Sequence, residues 1–162
     1  TKNKKIFATI VSKHDRGGQR SIICNELEKY DNIQAPGKYR NNTKPIGNTQ
    51  IDKINYISNS IYNICPENSK YEGYFTEKIF QAFEAGTIPL YWAIGFPEPE
   101  IINRNKYCFC NINNKENLSV SIKHVVSNPN EYLEGDIFTK NASKHIKVFY
   151  NTLLNNIKKY LS

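Results

Sequence analysis

Methionine is absent from this chain, position 1 included, so the expectation is a piece of a longer product with something upstream. Cysteine is scarce, with four in 162 residues. Cys24 and Cys65 lie in apolar contexts, while Cys108 and Cys110 alternate in "YCFC" and so share one face of a strand. Cys-x-Cys is a poor zinc spacing and no second pair or nearby His completes a site, so buried thiols in a reducing compartment are expected and no metal centre is assigned. No run approaches the roughly 18 apolar residues of a membrane helix. The opening "TKNKKIFATIV" carries too short an apolar segment for a signal peptide. Neither GxGxxG nor GxxxxGK[ST] occurs; "HDRGGQR" has two adjacent glycines only, so the NAD and P-loop classes lack their motif. There is no internal repeat and no low-complexity linker.

What is present fits one domain, residues 1–162, whose 39% apolar content is ordinary for a globular protein with a single core. Lys and Arg number 22 against 15 Asp and Glu, and the formal charge of +7 favours an anionic partner: nucleic acid, a nucleotide or an anionic membrane surface. The basic residues are interspersed with acidic ones except at "TKNKK" and "NNIKKYL", as on a solvated surface.

Strand and helix patterns alternate. "IFATIVS" (6–12) is a β-branched strand followed by the glycine loop "KHDRGGQR". A helix opens at Arg20 or Ser21, with Ile22, Ile23, Glu26, Leu27 and Tyr30 as its stripe. "NIQA" is a short second strand, "PGKYRNNTKPIGNTQ" a loop, "IDKINYISNS" a short helix and "YNIC" a strand. Residues 66–75 form a loop, Thr76–Ala85 a helix capped by Gly86, and "TIPLYW" a strand. "KYCFCNI" adds a strand and "NLSVSIKHVVS" a helix. The last helix, residues 137–161, aligns Ile146, Phe149, Leu153, Ile157 and Leu161 on one face, expected to pack on the sheet or on a domain outside this chain. This alternation implies an α/β fold, a doubly wound, mostly parallel sheet of Rossmann-like type.

Ligands of such sheets sit beyond the carboxyl ends of the strands, near helix N-termini. "SKHDRGGQR", "PENSKYEGY" and "TEK" converge there. A helix start favours anions, so Lys78 in the first turn opposes the dipole unless a phosphate neutralises it. Glu77 suits the dipole and can accept hydrogen bonds from sugar hydroxyls. The corner is built for a sugar phosphate.

The order E-N-S, a short spacer, G-Y-x-T-E-K, an apolar helix and A-G-T-I-P-x-Y-W, in "ENSKYEGYFTEKIFQAFEAGTIPLYW", resembles the donor-binding half of glycosyltransferase family 10, the α-1,3/4-fucosyltransferases. "IFATIVS", the Arg of "GGQRSIICNELEKY", "PGKYRNN", "NRNKYCFCNI" and "NPNEYL" have counterparts too, so the resemblance covers nearly the whole chain. It departs at "YWAIGFPEPE", where the family usually has Gly-Asp/Ser-Pro after the Trp.

The resemblance implies the C-terminal, GDP-fucose-binding half of a GT-B glycosyltransferase, with the N-terminal acceptor domain, and the general base it carries, absent from this chain. It implies inverting transfer of L-fucose from GDP-β-L-fucose to a glycan hydroxyl, and an isolated chain that is inactive. Arg20 and Lys78 resemble the pair that binds the diphosphate; Asn68, Tyr74 and Glu77 resemble the residues that hold the nucleotide and the fucose ring. Glu77 would either stabilise positive charge at the anomeric carbon or hold a ribose hydroxyl. No cofactor is expected beyond the substrate, with metal dependence open. The partners implied are GDP-fucose and, through the absent domain, a glycan acceptor; no nucleic acid is expected, and the basic last helix suggests peripheral membrane attraction. A bacterial cytoplasmic setting is expected, with a Golgi lumenal one as the alternative, the sequons at Asn41, Asn117 and Asn141 being common by chance in an Asn-rich chain.

Taken singly, each residue has a plainer reading: Arg20 solvated, Asn68 a turn former, Tyr74 a loop aromatic on the core, Glu77 and Lys78 a first-turn pair. Their joint spacing carries the weight. Glu67 either caps a local turn or touches ligand. His14, His124 and His145 are isolated and stay unassigned. Two alternatives remain: a transferase for another GDP-sugar, and a non-catalytic basic α/β module binding nucleic acid or a protein, though no RRM-type aromatic signature supports the latter.

Overall fold

The structure is a computed structural model and describes residues 4–161. Five strands, β1 (Ile6–Thr9), β2 (Ile33–Gln34), β3 (Ser60–Ile64), β4 (Ile88–Tyr91) and β5 (Cys108–Phe109), form one sheet in the order β2-β1-β3-β4-β5. Every pairing is parallel, with Ala8 opposite Ile33 and Tyr62, and Leu90 opposite Ile64 and Cys108. The helices are α1 (Gln19–Leu27), α2 (Gln50–Ile57), α3 (Lys78–Glu84), α4 (Lys115–Ser127), α5 (Pro129–Leu133) and α6 (Ala142–Leu161). A 3₁₀ turn spans Arg104–Lys106.

Parallel strands joined by helices must be covered on both faces, and the side-chain alternation along each strand does this. Ile88, Leu90 and Trp92 enter one apolar cluster with Ile23 and Leu27 of α1 and Ile122 of α4. Tyr91 and Ala93, pointing the other way, join Ile79 and Ala82 of α3. Cys108 and Cys110 fall in the first cluster and Phe109 packs on the second, as the "YCFC" alternation requires. All four cysteines are buried and unpaired. The doubly wound α/β fold expected from the sequence is the one observed.

Element boundaries shift for local reasons. α2 starts with a capping box, Thr49 Oγ1 accepting from Asp52 N at 3.1 Å while Asp52 Oδ2 accepts from Thr49 N at 3.1 Å. It ends at Ile57, and β3 begins at Ser60, two residues before the expected Tyr62. α3 begins at Lys78 rather than Thr76, because the amide and hydroxyl of Thr76 are both taken by the Glu67 carboxylate. It ends in a Schellman motif: Gly86 at φ 63°, Gly86 N to Phe83 O at 2.9 Å and Thr87 N to Ala82 O at 3.0 Å. β5 is shorter than the 106–112 segment, with Lys106 in the 3₁₀ turn. Residues 137–139, expected to be helical, are extended: Asn103 N donates to Ile137 O and Thr139 N to Ile101 O, both at 2.9 Å. α5, too short for a periodic signal, was not expected.

α6 differs most from expectation. Only Ala142 is buried along it, and Ile146, Phe149, Leu153, Ile157 and Leu161 are exposed. Its apolar face is not packed on the sheet. None of the described helices is long and apolar enough to cross a membrane.

Candidate functional site

In the order β2-β1-β3-β4-β5, the winding reverses between β1 and β3, and the crevice at their carboxyl ends is the ligand position of doubly wound sheets. The loop after β1 feeds α1, on one face; the loop after β3 feeds α3, on the other.

α1 starts at a left-handed Gly18 (φ 74°), and Asp15 folds back over its first turn. Asp15 Oδ1 accepts from Arg20 N (3.1 Å), and Oδ2 from Ser21 N (2.9 Å) and Ser21 Oγ (2.6 Å). Partial burial opposes the charge of Asp15, but the Ser21 hydroxyl, the two amides and the Arg20 charge outweigh it and hold the carboxyl below its ordinary value. These amides, offered to a phosphate by the sequence reading, are thus occupied by the chain's own carboxylate. The Arg20 side chain is what α1 contributes. It is buried, and its Nη2 donates to Asn68 Oδ1 at 2.6 Å and lies 3.5 Å from Pro66 O.

After β3 the chain places Glu67 wholly inside the protein, where its carboxylate receives four donors. Oε1 accepts from Thr76 N and Tyr91 OH, both at 2.8 Å; Oε2 accepts from Thr76 Oγ1 at 2.7 Å and Lys78 Nζ at 2.8 Å. Of the two readings for Glu67, the cap is the one built here, and it neutralises Lys78 as well. A phosphate is therefore not required to explain a cation at the start of α3. Lys78 Nζ also donates to Thr76 Oγ1 at 2.7 Å. An ammonium has three N–H groups, so one remains for a ligand. Burial, then the Glu67 charge and hydrogen bond, push the Tyr91 phenol well above its ordinary value and keep it a donor. The Gln19 amide is buried too: Nε2 donates to Glu67 O at 3.1 Å, while Oε1 has no partner among the described residues.

The sequence candidates separate accordingly. Arg20, Asn68 and Lys78 converge, and Arg20 and Lys78 line one small cavity of about 30 Å³. Glu77 lies outside that lining, its side chain 59% exposed and its carboxylate 3.9 Å from Lys78 Nζ. Burial opposes its charge, but its own amide and the Lys78 and Lys53 charges prevail and lower its carboxyl pKa. Tyr74 is exposed in the loop and makes no side-chain hydrogen bond among the described residues. Sequence reasoning missed Asp15, Thr76, Tyr91 and Lys53. The signals were motif membership: Thr76 is the first residue of T-E-K, and Tyr91 stands in A-G-T-I-P-x-Y-W.

Beside the small cavity lies a cleft of about 550 Å³ bounded by Ser12, Lys13, Gly37, Lys38, Thr49 and Lys53, within the usual size of ligand pockets. Gly37 is required there, since a Cβ on it would sit 2.3 Å from the carbonyl oxygen of Ser12. A larger cleft, about 870 Å³, flanks edge strand β5 and shares no lining residue with the other two. Phe96, in the segment after Trp92, lines it: its ring lies 4.6 Å from that of Phe109, tilted by 59°, with the Arg104 guanidinium 3.3 Å from its centroid. Volume favours this cleft, but the buried cations meet at the crevice between β1 and β3. Among the described residues, no group of three or more His, Cys, Asp or Glu is placed to hold a metal ion.

A parallel, doubly wound sheet with Arg20 and Lys78 at its switch point is the architecture of Rossmann-like α/β proteins. The family model described as glycosyltransferase family 10 (fucosyltransferase) C-term matches residues 1–152, and the chain belongs to that family. The α-(1,3)-fucosyltransferase FucT of Helicobacter pylori is 28% identical over 170 residues, spanning 94% of this chain and 34% of that protein. A crystal structure of α1,3-fucosyltransferase superposes with a TM-score of 0.72 at 25% identity, covering 96% of this chain and 47% of that one. A structure of α1,3-fucosyltransferase with GDP-fucose gives 0.68 at 25% identity, covering 95% and 48% respectively. One with GDP also gives 0.68 at 25%, covering 96% and 48%. The chain therefore spans 34% of the curated relative and 47% of the first of these solved chains.

Proposed function

We propose that this chain is the donor-binding part of an inverting α-1,3-fucosyltransferase and holds GDP-β-L-fucose at the crevice between β1 and β3. The observation that carries the reading is the convergence of Arg20 and Lys78 on one cavity, each oriented by a partner from the β3–α3 loop: Asn68 for Arg20, Glu67 for Lys78. The GDP and GDP-fucose bound by structural neighbours support the same ligand class. Family membership favours this over a basic module that binds nucleic acid.

In the proposed reaction, an acceptor hydroxyl oxygen bonds to C1 of fucose from the face opposite the nucleotide. The bond from C1 to the β-phosphate oxygen breaks, and its electron pair leaves with GDP. The acceptor proton passes to a base supplied outside this chain. Arg20 and Lys78 meet the negative charge that grows on the diphosphate, and their orientation is set before the reaction, so little reorganisation is needed. Glu77, exposed and beside Lys78, would serve either the developing positive charge at C1 or a ribose hydroxyl.

Calorimetric titration of the chain with GDP-fucose, GDP-mannose and a short RNA tests this reading. The expected order is GDP-fucose tightest, GDP-mannose weaker and RNA unbound at moderate salt. Preference for GDP-mannose would move the assignment to another GDP-sugar, and RNA binding alone would overturn it.

A further inference from the structure

Lys53 enters the crevice from α2, an element to which the sequence reading gave no functional residue. It lines both the 550 Å³ cleft and the small cavity that holds Arg20 and Lys78; Val11 is the only other residue common to the two. Its Nζ donates to Gln81 Oε1 at 2.6 Å, and Gln81 is itself buried. That acceptor is neutral. Among the described residues no carboxylate lies within ion-pairing distance of Lys53, whereas Lys78 has Glu67. One of three ammonium N–H groups is used and two remain. A half-buried cation without a counter-charge is costly unless an anion completes it. Burial, reinforced by the Lys78 charge and opposed by Glu77, pulls the Lys53 ammonium below its ordinary value.

We propose that Lys53 is a third cation of the donor site and binds the α-phosphate of the nucleotide, at the join between the nucleoside cleft and the cavity of Arg20 and Lys78. The inference rests on the donor-site reading above. A nucleoside in the 550 Å³ cleft must pass Lys53 to bring its terminal phosphate to Arg20 and Lys78. The first phosphate is thus the one nearest Lys53. The three cations divide the diphosphate between them, Lys53 on α and the other two on β, where the leaving charge develops.

The division predicts a signature that a structural role for Lys53 lacks. GDP, GMP and guanosine are titrated into the parent chain, Lys53→Met, Lys53→Arg and Lys78→Ala. Lys53→Met keeps the aliphatic stem and should weaken GDP and GMP alike, each about 10-fold, the scale of one charge-assisted hydrogen bond. Guanosine affinity should be unchanged, which also reports that the cleft is folded. Lys53→Arg should restore most of the lost affinity, and Lys78→Ala should weaken GDP while sparing GMP. The inference is overturned if Lys53→Met leaves GDP and GMP unchanged, weakens GDP alone, or weakens guanosine by the same factor. A folded parent that binds no GDP at all overturns the donor-site reading itself, an outcome distinct from loss of the Lys53 effect in a parent that binds.

Discussion

Lys78 is tied to Glu67: the ammonium lies 2.8 Å from a carboxylate that is entirely buried beneath α3. In the proposed function one residue thus serves both fold and ligand. Lys78→Ala leaves Glu67 buried with one donor fewer, and breaking such a pair costs about 3–5 kcal/mol. Urea denaturation of Lys78→Ala should show a loss near the low end, since Thr76 and Tyr91 still donate to Glu67. Adding Glu67→Gln should recover part of that stability, giving a coupling energy above about 1 kcal/mol in the double-mutant cycle. GDP affinity should not recover with it. Strictly additive losses would mean that the pair contributes nothing to folding.

Arg20 and Asn68 form the other arm. Arg20→Ala should reduce GDP affinity about 10- to 100-fold, the loss of a charge-assisted contact worth about 1.5–3 kcal/mol. Arg20→Lys should rescue little, because a point charge cannot hold Asn68 and a phosphate with one planar fork. Asn68→Ala should fall between the two. Calorimetry in which Arg20→Lys matches the parent would reduce Arg20 to a general positive charge.

Legibility in the sequence followed locality. Strand runs such as "TIPLYW" and the Gly86 cap were readable because β-branched alternation and a left-handed glycine are properties of neighbours in the chain. The meeting of Arg20 and Lys78 at one cavity was foreseen through their motif positions. What could not be read depends on which groups meet across the fold. Glu67, Thr76 and Tyr91 are separated in sequence yet share one carboxylate, and Lys53 reaches the crevice only because α2 packs beside α3. The misassigned ends, at β5 and before α6, are places where isolated tertiary hydrogen bonds override local propensity. The exposed apolar stripe of α6 was read correctly as a stripe, but periodicity does not name what covers it.

Gly37 lines the 550 Å³ cleft proposed for the nucleoside. A methyl group there meets the Ser12 backbone, which has no flexible end to move aside. Gly37→Ala should cost about 1–3 kcal/mol of stability, as overpacking does, and weaken guanosine as well as GDP. Unchanged guanosine binding would place the nucleoside elsewhere.

Asp15 gives the crevice an acid-side dependence. Its carboxyl is depressed in the folded chain, so it stabilises the fold above the unfolded carboxylate value of about 3.9, and this contribution is lost as pH falls through the folded value. Thermal melts from pH 6 down to pH 2 should show a steeper decline in the parent than in Asp15→Asn. The two curves should converge at the acid end. Parallel curves would remove Asp15 from the acid response.

The most direct test maps where the donor sits. Backbone amide shifts, recorded while GDP-fucose is titrated into the ¹⁵N-labelled chain, should move most at residues 11–20, 37–38, 49–53 and 66–78, around Arg20, Lys53 and Lys78. The region from Arg104 to Glu134, which lines the larger cleft at β5, should stay still. Shifts concentrated there, or none at saturating GDP-fucose, would contradict a donor site at the crevice between β1 and β3.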